Sequence, residues 1–215
     1  MQKIPRNNLK KGGIYVVVTG IKNSKKGNIL IYADNNYLVS VLPEVFSKSG
    51  IKVGSYIDEN ILENLREKIN LTKAKEKALN LLSFRAHSKK ELTDKVKRSL
   101  GEKCAEDAVN KMEKLGLIND EEFANSYAKE LFERKLYSIK RIKYELSKKG
   151  ISSDISEKIM SSFDFDEPEN IKKILSKKKF TQETKNNEKE YRKMVAYCQR
   201  LGYSWSDISS AINDF

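Results

Sequence analysis

The sequence predicts a mainly α-helical protein. It reads as three tandem three-helix repeats forming an elongated array, preceded by a small α+β module at the N-terminus. Two observations carry this expectation. Before residue 70 the chain holds β-branched and aromatic runs of strand length, whereas from Lys73 onward apolar residues recur at three- and four-residue steps, the period of amphipathic helices. The helical part also lands on itself when shifted by fifty residues, which marks tandem structural units. The expected boundaries are 1–70 for the module, then 71–116, 117–164 and 165–215 for the repeats.

Within the module, Ile14–Thr19, Asn28–Tyr32 and Tyr37–Val41 read as strands. Asp34, Asn35 and Asn36 form a hairpin signal, because Asp and Asn tolerate positive φ. Lys22–Asn28, with Gly27, is a polar turn. A short helix from Pro43 to Ser49 is expected to stop at Gly50, and a second to start at an Asp58 cap and run through Leu62 and Leu65. Eleven basic residues face six acidic ones here. The module reads as an accessory scaffold with some room for phosphate contact.

The repeat is visible residue by residue. Ala74 pairs with Ala124, Ala78 with Ala128, Leu81 and Leu82 with Leu131 and Phe132, and Ser88 with Ser138. Leu92 pairs with Ile142, Val96 with Leu146, Ala105 with Ile155 and Val109 with Ile159. A third copy is looser. Met194, Cys198, Gly202 and Tyr203 follow Ile142, Leu146, Gly150 and Ile151 at an offset of fifty-two, and Ile208 follows Ile155 at fifty-three, after one inserted residue. Lys177–Lys189 is expected to hold a longer loop, and Asp164–Asn170, with Pro168, a hinge. Ser88 with Glu91, and Asn119 with Glu122, read as capping boxes, and Gly116 and Gly150 as helix stops.

Charge narrows the partner. The chain carries a net +12 with a pI near 9.4, which favours a polyanion. No apolar run reaches membrane-spanning length, and Met1–Leu9 lacks the apolar core of a signal peptide, so a cytoplasmic protein with no membrane partner is expected. Cys104 and Cys198 show no pairing pattern, which suits a reducing compartment. There is no P-loop, no dinucleotide fingerprint, no Cys/His metal spacing and no nucleophile beside a base, so neither enzyme activity nor a cofactor or metal is expected.

The densest charge lies in Arg134, Lys135, Lys140, Arg141, Lys143, Lys148 and Lys149, against Glu145 alone. On a helix from Ser138, Lys140, Tyr144 and Lys148 share the face opposite Ile139, Ile142 and Leu146, so an aromatic sits between two cations. The bland alternative is a solvated helix face. The excess of six charges favours binding, being too unbalanced for local ion pairs to offset. Arg85, Lys89, Lys90, Lys97 and Arg98 form a second cluster, softened by Glu91 and Asp94, for which solvation and binding are balanced. Lys177, Lys178 and Lys179 read as a mobile polar turn. Tyr203 and Trp205 read as core of the last repeat, His87 as a turn residue, and Asp120, Glu121 and Glu122 as acids favoured at a helix N-terminus.

Four segments carry a family resemblance. Gly116-Leu-Ile-Asn-Asp-Glu-Glu-Phe-Ala124 resembles the hallmark of RecX proteins, with Asn119 in place of an Asp that caps equally well. Arg141-Ile, Glu145-Leu and Lys149-Gly-Ile151 resemble the second-repeat segment of that family. Leu82-Ser-Phe-Arg85 with Ser88 and Glu91-Leu92 resembles its first-repeat opening, and Gln199-Arg-Leu-Gly-Tyr203 with Asp207-Ile208 its third-repeat ending. The resemblance covers roughly residues 72–213. It implies a monomeric regulator that lies in the groove of the RecA recombinase filament. There it would modulate ATP hydrolysis and strand exchange, in the inhibitory sense, in recombination, DNA repair and the SOS response, while touching single- or double-stranded DNA weakly. The competing expectation is an autonomous DNA-binding protein whose three-helix units act like helix-turn-helix modules. A third is a scaffold whose charge serves solubility.

Overall fold

A computed structural model describes residues 15–214. Ile14, the expected start of the first strand, and the segment Met1–Leu9 lie outside the described residues. The chain divides into two compact units. One holds the described residues up to Leu81 together with Thr93–Met112, and the other holds Leu82–Leu92 with Glu113 onward.

In the first unit, β1 (Tyr15–Asn23), β2 (Ile29–Ala33), β3 (Asn36–Val41) and β4 (Tyr56–Asp58) form an antiparallel sheet in the order β3-β2-β1-β4. β1 outruns its expected end at Thr19, and a register shift between Val18 and Gly20 leaves Thr19 as an extra residue in the β1–β2 ladder. Asp34 and Asn35 turn the β2–β3 hairpin at φ +48° and +64°, the primed-turn conformation that only a few residue types accept. Helix α1 (Pro43–Ser47) follows. The three-residue β4 is too short for a periodic signal and went unforeseen.

Helix α2 (Glu59–Phe84) is the main departure from expectation. The Asp58 carboxylate accepts the Ile61 N–H at 2.7 Å and caps its start. One 26-residue helix, about 39 Å long, then replaces the two anticipated on either side of residue 70. Leu62, Leu65 and Ile69 pack with Val18, Ile31, Val41 and Ile57 over the sheet. Further along, Ala74 and Ala78 are fully buried, as are Val96 of α3 (Lys89–Leu100) and Ala105, Ala108 and Val109 of α4 (Glu102–Lys114). Leu115 falls beyond α4 and is exposed, not on its apolar face.

The second unit contains α5 (Asp120–Glu133), α6 (Ile139–Lys148) and α7 (Ser153–Ser162) around Phe123, Ala124, Ala128, Leu131, Ile142, Leu146 and Ile159. It continues with α8 (Glu167–Lys177), α9 (Gln182–Asn186), α10 (Glu188–Arg200) and α11 (Trp205–Asn213). Pro168 stands in the first turn of α8, where its missing N–H has no partner to lose, so the expected hinge shrinks to residues 164–166. The expected long loop after α8 holds α9, capped by Thr181.

Successive repeats in this unit meet through one recurring joint. At the first, the Ser88 hydroxyl donates to the Lys149 carbonyl at 2.7 Å, and the Lys89 N–H donates to the Asp120 carboxylate at 2.7 Å. At the second, the Ser138 N–H donates to the Leu201 carbonyl at 3.0 Å, and the Ile139 N–H donates to the Glu167 carboxylate at 2.7 Å. In both, the start of a middle helix is capped by an acid opening the next repeat, satisfying an N–H that the helix cannot. The glycine after the next middle helix closes the joint. A Cβ on Gly150 would lie 2.6 Å from Lys90 Cβ, and one on Gly202 2.7 Å from Arg141 Cβ. Both glycines also hold positive φ.

Candidate nucleic-acid and partner interface

The basic segment divides when its partners are traced. Arg134 and Lys135, in the turn after α5, and Lys140, on α6, are exposed and have no carboxylate partner among the described residues. Lys143 donates to both oxygens of Glu157, at 2.8 and 2.9 Å. Arg141 and Lys148 pair with Glu145 at 2.8 and 3.2 Å, and Lys149 pairs with Glu91 at 3.1 Å. The inference that this charge is too unbalanced to be offset is therefore corrected for these four cations. Glu157 and Glu91 lie far off in sequence and reach them only through folding.

Tyr144 is 54% exposed, and its ring is bracketed by Arg141 at 5.2 Å and Lys148 at 5.3 Å. The expected bracket of Lys140 and Lys148 thus keeps one member. Arg141 also lies 5.7 Å from the Tyr137 ring, with its Nε buried and without a hydrogen-bond partner among the described residues.

In the earlier cluster, Arg85 pairs with Glu91 at 2.6 Å and Lys89 with Glu113 at 2.7 Å. Lys97 pairs with Glu102, while Lys90 and Arg98 are exposed. Lys97 and Arg98 belong to the first unit and the other three to the second. Glu91 is the hub. Burial alone would raise its pKa, but hydrogen bonds from Arg85 and Lys149 outweigh that and hold it at about 2.

Several residues were not legible as part of this surface. At the offset of fifty-two, Arg192 and Arg200 of α10 correspond to Lys140 and Lys148, and at fifty the same positions are Lys90 and Arg98. All six are exposed, so each middle helix presents two cations eight residues apart. Extending the repeat alignment to surface positions would have found the last pair. Tyr197 has Lys178 4.5 Å and Arg200 5.7 Å from its ring, beside a cleft of about 400 Å³ that Lys193 also lines. Lys178 thus lies over an aromatic ring, not on a featureless turn.

Other residues divide between packing and surface. Tyr203 is buried and donates its hydroxyl to the Leu136 carbonyl at 3.0 Å, but Trp205 is 54% exposed, contrary to the expectation that both are core. His87 is buried, with Nδ1 2.9 Å from the Arg85 carbonyl. Burial pushes the Cys198 thiol up to about 11, so it stays protonated. Among the described residues no group of His, Cys, Asp and Glu is arranged to hold a metal, and no helix is long and apolar enough to cross a membrane.

Comparison with known proteins agrees with this organisation. Models of the first, second and third three-helix domains of RecX match residues 74–112, 119–160 and 166–212. The regulatory protein RecX of Caldanaerobacter subterraneus subsp. tengcongensis is 31% identical, over 90% of this chain and 96% of that one. That of Clostridium acetobutylicum is 28% identical, over 90% and 92%. A crystal structure of regulatory protein RecX covers 92% of this chain and 99% of that one with a TM-score of 0.63 at 22% identity, which shows the fold. RecX from Lactobacillus salivarius covers 67% of this chain and 96% of its own, with a TM-score of 0.53 and 26% identity. Three matched domains in their family order, with a relative aligned over nearly its whole length, establish that this chain belongs to the RecX family of regulatory proteins.

Proposed function

We propose that this chain regulates a RecA-type recombinase by seating its repeats in the groove of the RecA filament and slowing ATP hydrolysis and strand exchange. The observation that supports this reading is the recurrence of two exposed cation positions, Lys90/Lys140/Arg192 and Arg98/Lys148/Arg200, on the three middle helices. A repeated basic unit suits a partner that is itself repeating and carries a phosphate backbone. Arg134, Lys135 and Lys140 are the strongest contacts in this reading, since no carboxylate among the described residues holds them. Arg85, Lys89, Arg141, Lys143, Lys148 and Lys149 contribute less, because part of their charge is spent within the fold. Tyr144 and Tyr197 add ring faces beside cations.

The test is the ATPase of RecA on single-stranded DNA at saturating amounts of this protein. The expected result is a fall in rate, and an unchanged rate overturns the reading. Replacing Arg134, Lys135 and Lys140 by Glu is expected to weaken filament binding and to reduce the slope of log affinity against log salt by about two to three. Full binding by that variant would displace the surface to another part of the molecule. The same unpaired cations favour one alternative, direct binding of duplex DNA through the middle helices. Tight, sequence-selective binding to duplex in the absence of RecA would support it.

A further inference from the structure

We propose that the cleft at the joint of the first two repeats is a docking site for a protein segment carrying a leucine-sized apolar side chain flanked by lysine or arginine. The cleft has a volume of about 530 Å³, the size of a small-ligand or peptide-anchor pocket. Phe123 and Tyr127, stacked with ring centroids 5.5 Å apart, form one side. Leu117, 48% exposed, and Ala86 add apolar surface. Phe84, the chain neighbour of the lining residue Arg85, is 86% exposed.

The second joint indicates what fits. Leu136 is the sequence counterpart of Ala86, fifty residues on, although Leu136 turns at φ +54° and Ala86 does not take a positive φ. Leu136 is buried in the core of the third repeat with Ile171, Ile174 and Leu175. Pairing the helix-opening acids Asp120 and Glu167 aligns Tyr127 with Ile174, so a cleft-lining ring of the first joint corresponds to a residue that packs with Leu136 at the second. The protein thus fills the second joint with a leucine, while the first carries an alanine beside an open cleft.

Charge selects the flanking residues. The lining cations Arg85 and Lys149 are both held by Glu91. Glu122 and Glu130 also line the cleft, and neither has a cationic partner within ion-pair distance among the described residues. The free charge of the walls is therefore negative, on a chain of net +12. Such unpaired acids favour a basic segment. This inference is independent of the recombinase reading and needs no RecA to test.

The probe is the blocked pentapeptide Ala-Arg-Leu-Arg-Ala, titrated into the isotopically labelled full chain and followed by amide NMR shifts. Saturable shifts are expected at Ala86, Gly116 and Ser126, with a Kd near millimolar. The peptide with Ala for Leu, or Glu for both Arg, is expected to bind at least about five-fold more weakly. The variant Ala86→Leu, which adds bulk at an exposed cleft-lining position, is expected to fold and to abolish the shifts. Independently, Glu122→Gln with Glu130→Gln is expected to weaken the basic peptide by roughly two- to ten-fold and to leave a neutral leucine peptide unchanged. No saturable shift at these amides, equal binding of the acidic peptide, or undiminished binding to Ala86→Leu each overturns the proposal.

Discussion

At the first joint, Ser88 holds the Lys149 carbonyl, Gly150 lets the chains approach, and the space beside Ala86 stays open, lined by Arg85 and Lys149, which pair with Glu91. At the second joint, Ser138 holds the Leu201 carbonyl and Gly202 lets the chains approach, but the equivalent space takes Leu136 and the Tyr203 hydroxyl. The hydrogen-bonded frames correspond, but Leu136 turns at φ +54° where Ala86 takes no positive φ, and the filling is opposite. One joint carries ion-paired side chains beside water-accessible space, the other buried apolar surface that includes the Tyr203–Leu136 hydrogen bond. A repeat architecture can therefore keep its geometry while assigning one joint to stability and leaving the other available for a partner.

The largest effect is expected from Leu136→Ala. It empties a 5%-exposed site in the third-repeat core and should cost about 2–5 kcal/mol in chemical denaturation. A loss below 1 kcal/mol would mean that the second joint is not closed by this side chain. Gly202→Ala comes next. It forces an alanine to φ +100° and its Cβ against Ser138 and Arg141, for a loss of about 2–4 kcal/mol. Gly150→Ala should cost somewhat less, about 1–3 kcal/mol, because its three nearest contacts are Lys90 Cβ, Cγ and Cδ, whereas those of Gly202 include the Arg141 backbone nitrogen. Equal losses from the two would show that the joints are equally rigid.

The two joints should also differ in the sign of their pH dependence. Glu91 has its pKa depressed to about 2 from an ordinary 4.5, so its stabilisation is present above pH 4.5 and is lost as pH falls toward 2. With allowance for the half-exposed Arg85, this is about 2 kcal/mol. Glu167 moves the other way. Burial raises its pKa, the Ile139 N–H lowers it in part, and Asp207 raises it further. Its contribution is full below pH 4.5 and declines as pH rises through the raised value. Thermal melts of Glu91→Gln between pH 2 and 6 should converge on wild type at the acid end. Melts of Glu167→Gln, the smallest effect at under about 1 kcal/mol, should also converge there but lie above wild type as pH rises through the raised value, the opposite sign to Glu91→Gln. Parallel curves for both variants would remove the electrostatic distinction between the joints.

The repeat was legible because its signal is dense and local. Leu92, Val96, Ile142 and Leu146 are all fully buried, and each was placed by helical period and offset alone. Ser138 and Asn119 cap α6 and α5 through side-chain oxygens, as residue type and position predict. What escaped was whatever depended on a neighbour distant in sequence. β4 is three residues long and exists only because β1 offers Tyr15–Val17 to pair with. The partition of the basic segment into held and free cations depended on Glu157 and Glu91, which no local charge count can bring near Lys143 and Lys149.

The sequence by itself determined the helical repeat, its caps, its glycine stops and the excess of positive charge. Each of these is written in residue type and spacing within a few turns of helix. Only the tertiary structure decided that α2 runs unbroken from the sheet into the first repeat, since the buried faces on either side of residue 70 lie on a single helix. Only it decided that an acid opening one repeat caps the middle helix of the repeat before, and that Ala86 borders a cleft where Leu136 fills a core. Those outcomes rest on contacts between residues about thirty to seventy positions apart, and such contacts follow from how packed faces meet, not from the pattern along any one of them.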